Sequence, residues 1–174
     1  MDIKNILQEC FSENLNDYKN NLFLFVRDIP YEINDACSPE LLLKIWKWYC
    51  VPKHRLLKIL FDKIGVQSKI CFVPFKFNQI YLPPDLQDWW FADKLWYHVF
   101  LKVLVKDTYI NVDASFPLEL RSFYHVNDCW DWVSSQALTI WESGPEYVAN
   151  NLDEESTIKN ILTDSRWFGP QDDL

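Results

Sequence analysis

Glycine occurs only three times in the 174 residues and methionine once. No glycine-rich phosphate loop and no dinucleotide fingerprint is present, so neither ATP nor a nicotinamide cofactor is indicated. No apolar run approaches the length needed to cross a bilayer, and the opening Met1-Asp2-Ile3-Lys4-Asn5 lacks an apolar signal segment. A cytoplasmic chain without membrane association is expected. Cys10, Cys37, Cys50, Cys71 and Cys129 are odd in number and widely spaced, with no CxxC pair. That argues against a disulfide framework and for free thiols in a reducing compartment. Cys50 with His54, and His125 with Cys129, are close pairs, but neither supplies the three or four convergent ligands of a zinc site. No calcium-loop spacing is visible either, and no cofactor or metal is expected.

Basic charge is also scarce: 17 lysines and arginines stand against 25 acidic residues, for a net charge of -8. A phosphate backbone is repelled by such a surface unless cations gather in one stripe. Lys53, His54, Arg55 and Lys58 form a short cluster that nearby acids offset, so no nucleic-acid partner is expected. A protein or peptide substrate, favoured if basic, fits better. No sequence feature specifies an oligomeric state.

What the chain has in abundance is aromatic side chains, 17% of its residues, nine of them tryptophan. Its length suits one domain spanning residues 1–174, with a ring-rich core. Ile3, Ile6, Leu7 and Cys10 recur at helical spacing, which predicts an amphipathic helix from residue 2 to about 18, within an N-terminal helical region 1–20. Asn20-Asn21 reads as an interruption, and Leu22 to Val26 as a short strand or buried connector that Pro30 helps to end. Ser38-Pro39-Glu40 is a good helix start, with the helix running through Trp48. Val51-Pro52 is another start, with Leu56, Leu57, Leu60, Phe61 and Ile64 facing inward and Gly65 ending the helix in a left-handed conformation. On this reading Cys50 sits just outside the first turn, facing its unpaired N–H groups and positive pole.

Ile70 to Phe77 reads as a strand, with Pro74 placing part of it at an edge or bulge. Residues 78–93 form a long connector without periodicity, a length that suits a lid or specificity loop. Trp89 and Trp90 within it are candidates for a substrate wall, the alternative being burial as loop anchors. Trp96 to Val105 is the clearest strand: Val99, Leu101, Val103 and Val105 share one face, His98, Phe100, Lys102 and Leu104 the other. A Lys106-Asp107 turn leads to a partner strand ending at Asp113. A two-residue turn places Phe100 opposite Asp113, with His98 diagonally across on the same face; one residue of slip would destroy this arrangement. Leu118 to Leu120 is expected to extend the sheet, residues 128–132 to form an ordered surface segment, and residues 133–142 and 154–161 to form short helices. Residues 169–174 are expected to fray.

One constellation carries chemistry. Cys50, His98 and Asp113 offer a thiol nucleophile, an imidazole to accept and return its proton, and a carboxylate to fix the imidazole tautomer. Each also has a bland alternative, as a small buried apolar residue, a satisfied rim residue and a strand-exit cap. His54 and His125 are further candidate bases, though Pro52 argues against the regular helix that would bring His54 to Cys50.

Cys50 to Gly65, Cys-Val-Pro-Lys-His-Arg-Leu-Leu-Lys-Ile-Leu-Phe-Asp-Lys-Ile-Gly, resembles the nucleophile helix of the transglutaminase-like superfamily. Val66-Gln67-Ser68-Lys69-Ile70 resembles its passage into the next strand. Trp96-Tyr97-His98-Val99-Phe100-Leu101 resembles its histidine strand, and Tyr109-Ile110-Asn111-Val112-Asp113-Ala114-Ser115 its aspartate strand. The resemblance covers residues 38–116 and implies an α+β, papain-like core in which a helix presents Cys50 against an antiparallel sheet carrying His98 and Asp113. It implies acyl transfer through a thioester: amide hydrolysis or deamidation first, glutamine crosslinking second. Cys50 N–H is a candidate oxyanion donor. The chain departs from the family pattern at Tyr49, where a small residue is common, and at Asp62, where arginine is frequent. Tyr49 is a candidate substrate contact through its ring; with the nine tryptophans it also motivates an alternative, a noncatalytic interaction module on the same scaffold.

Overall fold

The computed structural model describes residues 2–31, 50–76, 95–140 and 146–149. The expected helix through Trp48, Tyr49, the 78–93 connector with Trp89 and Trp90, the helix at 154–161 and the tail at 169–174 lie outside the described residues.

The N-terminal region is two helices, where one had been expected from residue 2 to about 18. In α1 (Ile3–Glu9), Asp2 caps the start by accepting from the Asn5 amide at 2.8 Å. The chain then breaks, and Asn14 caps α2 (Leu15–Arg27) by accepting from the Asn16 and Asp17 amides. An asparagine side chain that satisfies the free N–H groups of the next turn restarts a helix, and here that preference overrides continued periodicity. Leu22 to Val26 is therefore helix, not strand: Leu22, Phe23 and Val26 are buried on one face of α2, and a short apolar run does not by itself distinguish the two periods. Asn20 and Asn21 do not interrupt it. Their side chains leave the helix to bind the Trp130 amide at 3.2 Å and the Cys10 carbonyl at 3.0 Å.

The next described helix, α3 (Cys50–Lys63), already includes Cys50, so the thiol belongs to the helix and not to the residue before its first turn. Leu56, Leu57, Leu60 and Phe61 are fully buried. The helix ends as expected. Gly65 has φ +75°, its amide binds the Asp62 carbonyl and the Val66 amide binds the Phe61 carbonyl, a paired closure that requires the left-handed conformation at Gly65.

Among the described residues, four antiparallel strands follow, in the order β3-β2-β1-β4. They are β1 (Ser68–Lys76), β2 (Leu95–Val105), β3 (Thr108–Val112) and β4 (Tyr147–Ala149). β1 pairs with β2 along its full length, from Ser68 opposite Val103 to Lys76 opposite Leu95. β4 pairs only with Ile70 to Phe72, so Pro74 lies beyond the stretch that β4 covers. Lys106 and Asp107 both have positive φ, 45° and 66°, the geometry whose twist suits a two-residue hairpin. The register runs from Val105 opposite Thr108 to Leu101 opposite Val112 and leads on to Phe100 opposite Asp113, as the turn length predicts.

α3 packs between α2 and the sheet. Val99, Leu101 and Val103 join the helices in the main core, along with Ile70, Phe72 and Trp130. Phe100 faces the other way, into a smaller cluster with Cys71, Val73, Phe75 and Ile140. The helix-on-antiparallel-sheet, α+β class is the architecture observed.

After β3 two expectations fail and a third holds only in part. Leu118–Leu120 is a 3-10 turn, not a sheet extension, closed by bonds from the Leu120 amide to Pro117 and the Arg121 amide to Leu118. Residues 133–140 form no helix. Their polar groups instead run along the open edge of β3: the Asn111 amide donates to Ser135 Oγ at 2.9 Å and the Gln136 amide to the Asn111 carbonyl at 2.9 Å. An edge strand needs partners for its outward backbone groups, and this loop supplies them. The surface reading of residues 128–132 holds for Asp128, Cys129 and Asp131, but Trp130 is buried and its ring packs on Phe61.

Candidate active site

β2 and β3 position two of the predicted residues through the hairpin register. His98 Nε2 lies 2.8 Å from Asp113 Oδ2, with His98 2% and Asp113 1% exposed. α3 brings the third: Cys50, 8% exposed, stands near enough to His98 for its thiol to help raise the imidazole. Because Asp113 engages Nε2, the nitrogen left for the thiol is Nδ1. Phe75 stands edge-on to the His98 ring and Phe100 lies parallel to it, both with centroids 6.4 Å away, so the ring has little room to turn.

Asp113 is a saturated acceptor. Oδ1 takes the Ser115 hydroxyl at 2.6 Å and the Ser115 amide at 3.1 Å; Oδ2 takes the Thr139 amide at 2.9 Å and its hydroxyl at 3.1 Å, besides His98. Its backbone is held too, the amide donating to Gln136 Oε1 at 2.8 Å and the carbonyl accepting from Asn127 Nδ2 at 3.0 Å. Burial pushes the carboxyl toward its neutral form, but the facing His98, the hydrogen bonds and His54 outweigh it, and Asp113 is held well below the usual carboxylate range. Burial likewise works against a charged His98. The Asp113 charge and hydrogen bond, together with Cys50, prevail and raise it to about 10. The balance favours the imidazolium form of His98 beside an ionised Asp113.

His54 is not the base. Its Nδ1 lies 2.8 Å from the Cys50 carbonyl, which can only accept, and its Nε2 takes the Ala114 amide at 3.0 Å, which can only donate. Both nitrogens are occupied and the tautomer is fixed. Burial, the largest influence, lowers it to about 4 despite the nearby Asp113. His125 is exposed and pairs with Asn127 at 3.2 Å, outside the constellation.

Lys53 is wholly buried, its ammonium bonded to the Arg27 carbonyl at 2.7 Å and the Ser115 carbonyl at 2.8 Å. Desolvation lowers it to about 7 against the pull of Asp28 and Asp113. This lysine joins the end of α2 to the segment after Asp113. Lys53→Met keeps the stem but leaves two buried carbonyls unpaired, so a loss of about 2–4 kcal/mol in urea unfolding is expected. An unchanged midpoint would contradict the tie.

Sequence reasoning found Cys50, His98 and Asp113 but missed most of what holds them. Ser115, two residues after Asp113, has the local spacing of an aspartate bonding its own chain, a signal that could have been read. Thr139, Gln136 and Asn127 come from irregular segments with no periodicity to place them. Among the described residues, no group of three or more histidine, cysteine or acidic side chains is arranged to hold a metal ion, and no helix is long and apolar enough to cross a membrane.

No family model and no curated protein matches the chain. Among solved structures, it is similar to one described as a TGase, at 10% identity and a TM-score of 0.48, over 67% of this chain and 31% of that one. It is also similar to a protein from Cytophaga hutchinsonii provisionally described as a cysteine protease, at 14% identity and a TM-score of 0.44, over 85% of this chain and 49% of that one. The chain spans less than half the length of either structure, and at these scores the site's chemistry has to be read from its own geometry.

Proposed function

We propose that the chain is a transglutaminase-like, cysteine-dependent acyl-transfer enzyme that hydrolyses or deamidates carboxamides in a protein or peptide. The observation that carries this is the pairing of His98 with the buried Asp113 at 2.8 Å, with the Cys50 thiol near enough to His98 to favour its charged form. Cys50 as thiolate attacks the carboxamide carbon, and the Cys50 N–H is a candidate donor to the oxyanion. The tetrahedral intermediate collapses to a thioester as the imidazolium of His98 protonates the departing amine or ammonia. His98, now neutral, takes a proton from water, whose oxygen attacks the thioester. The acid is released and the Cys50–His98 pair is restored for the next turnover. Asp113 remains ionised throughout and stabilises the imidazolium.

Water suffices to complete this cycle, whereas crosslinking needs a second organised path for a lysine amine. Peptides carrying glutamine, asparagine and lysine, incubated with the protein and resolved by mass spectrometry, separate the outcomes. Deamidation adds about one dalton, proteolysis divides the mass and crosslinking joins two masses. The expected result is deamidation or cleavage that disappears in Cys50→Ala; no product from any peptide counts against the proposal. The noncatalytic alternative is favoured by one observation, the low exposure of Cys50 and His98. It predicts that Cys50→Ala and His98→Ala leave binding to a protein partner intact.

A further inference from the structure

Cys50 and Asp113 lie on different elements, and no hydrogen bond between the two residues joins α3 to the end of β3. His54 makes that connection. Lying one turn after Cys50 on the helix, it reaches the Cys50 carbonyl through Nδ1 and the Ala114 amide through Nε2, at 2.8 Å and 3.0 Å. Lys53 reinforces the junction by binding the Ser115 carbonyl at 2.8 Å. Two successive helix residues thus grip two successive residues after the acid. His54 is also edge-on to His98, with ring centroids 6.4 Å apart, and its Nε2 lies 3.5 Å from Asp113 Oδ1.

We propose that His54 is a positioning residue of this site: a neutral imidazole of fixed tautomer that ties the Cys50 carbonyl to the Ala114 amide and so holds the thiol within reach of His98. The inference rests on the reading of Cys50 and His98 as the reacting pair. It assigns His54 no proton transfer. A donor on one side and an acceptor on the other are both required, and a neutral imidazole supplies them across the width of a rigid ring. Glutamine and asparagine each offer one donor and one acceptor group but span a different distance: glutamine reaches the Ala114 amide in the place of Nε2, asparagine the Cys50 carbonyl in the place of Nδ1. Each is expected to keep one bond and lose the other.

The test measures alkylation of Cys50 by iodoacetamide at neutral pH, located by mass spectrometry, in wild type, His54→Gln, His54→Asn, His98→Ala and the double variant His54→Gln/His98→Ala. Each single His54 substitution is expected to slow Cys50 about tenfold, while the double variant is no slower than His98→Ala alone, because His54 acts only through the thiol–imidazole pairing. A residue that merely stabilises the fold would slow both backgrounds equally. Wild-type rates in both His54 variants, or an equal loss in the His98→Ala background, would overturn the inference. If His98→Ala itself leaves the rate unchanged, the reacting pair is wrong and the proposed function fails with it. Nitrogen-15 NMR of the wild-type rings needs no substitution. It is expected to show one histidine fixed in the Nδ1–H tautomer and still neutral at pH 5, and absence of that signal also overturns the proposal.

Discussion

Asp113→Asn is expected to damage both folding and chemistry, although the side chains are nearly the same size. Each carboxylate oxygen of Asp113 accepts from a backbone amide, Oδ1 from Ser115 and Oδ2 from Thr139. A hydroxyl can rotate to become an acceptor, but a backbone N–H cannot. Whichever way an asparagine amide turns, its own NH2 opposes one of those two amides, in a site that water does not reach. A stability loss of about 2–4 kcal/mol follows, measured by urea unfolding at neutral pH. Turnover of any amide substrate should fall by about 10²–10⁴, since the imidazolium loses its counter-charge and the tautomer its anchor.

The pH dependence of stability should change with it. His98 is raised from its ordinary 6.5 to about 10 in the folded protein, so its stabilising contribution is complete below pH 6.5 and is lost as the pH rises toward 10. Asp113 is depressed from 3.8, so its contribution is present above that value and disappears as acid protonates it. Together the pair stabilises most between about pH 4 and 6.5. Over the same interval Lys53, lowered to about 7, contributes in the opposite sense, gaining as the pH rises toward 10.5, so the His98 contribution is read as the difference between wild type and Asp113→Asn: the wild-type midpoint should fall relative to the variant's from pH 6.5 toward 10. A difference between the two midpoints that stays constant over this interval would show that His98 and Asp113 are not paired as charges.

His98→Ala carries the second large effect. On the proposed mechanism the ring carries the proton between the Cys50 thiol and the leaving group. His54 has both nitrogens committed, and Lys53 places two of its three donors on the Arg27 and Ser115 carbonyls. Alkylation of Cys50 at neutral pH is expected to slow by about 100-fold, and amide turnover by at least as much. The variant should remain folded, as circular dichroism would show, because the main core is built by Val99, Leu101 and Val103 on the other face of β2 and the other donors to Asp113 persist. A folded variant that alkylates at the wild-type rate would separate Cys50 from His98 and favour the noncatalytic alternative.

The sequence contained the decisive geometric relation because a hairpin is a local object. Lys106-Asp107 fixes a two-residue loop, the loop fixes the register, and the register places His98 beside Asp113. Gly65 was legible for the same reason, its role set by the turn it closes. The helices at the N-terminus were not, because local capping by Asn14 competes with apolar spacing and a run such as Leu22 to Val26 fits either period. Residues 133–140 could not be placed at all without the open edge of β3 that binds them.

Sequence alone thus determined the helix after Val51-Pro52 and the strands β1 to β3, the pairing of β2 with β3, and the three side chains worth watching, because turn chemistry and strand alternation act over a few residues. Only the tertiary structure decided that α3 brings Cys50 to His98, that His54 is a strut and not a base, and that Thr139 and Ser115 share the acid. Those outcomes depend on unpaired polar groups from distant segments finding one another in a buried space, and burial is a property of the whole fold.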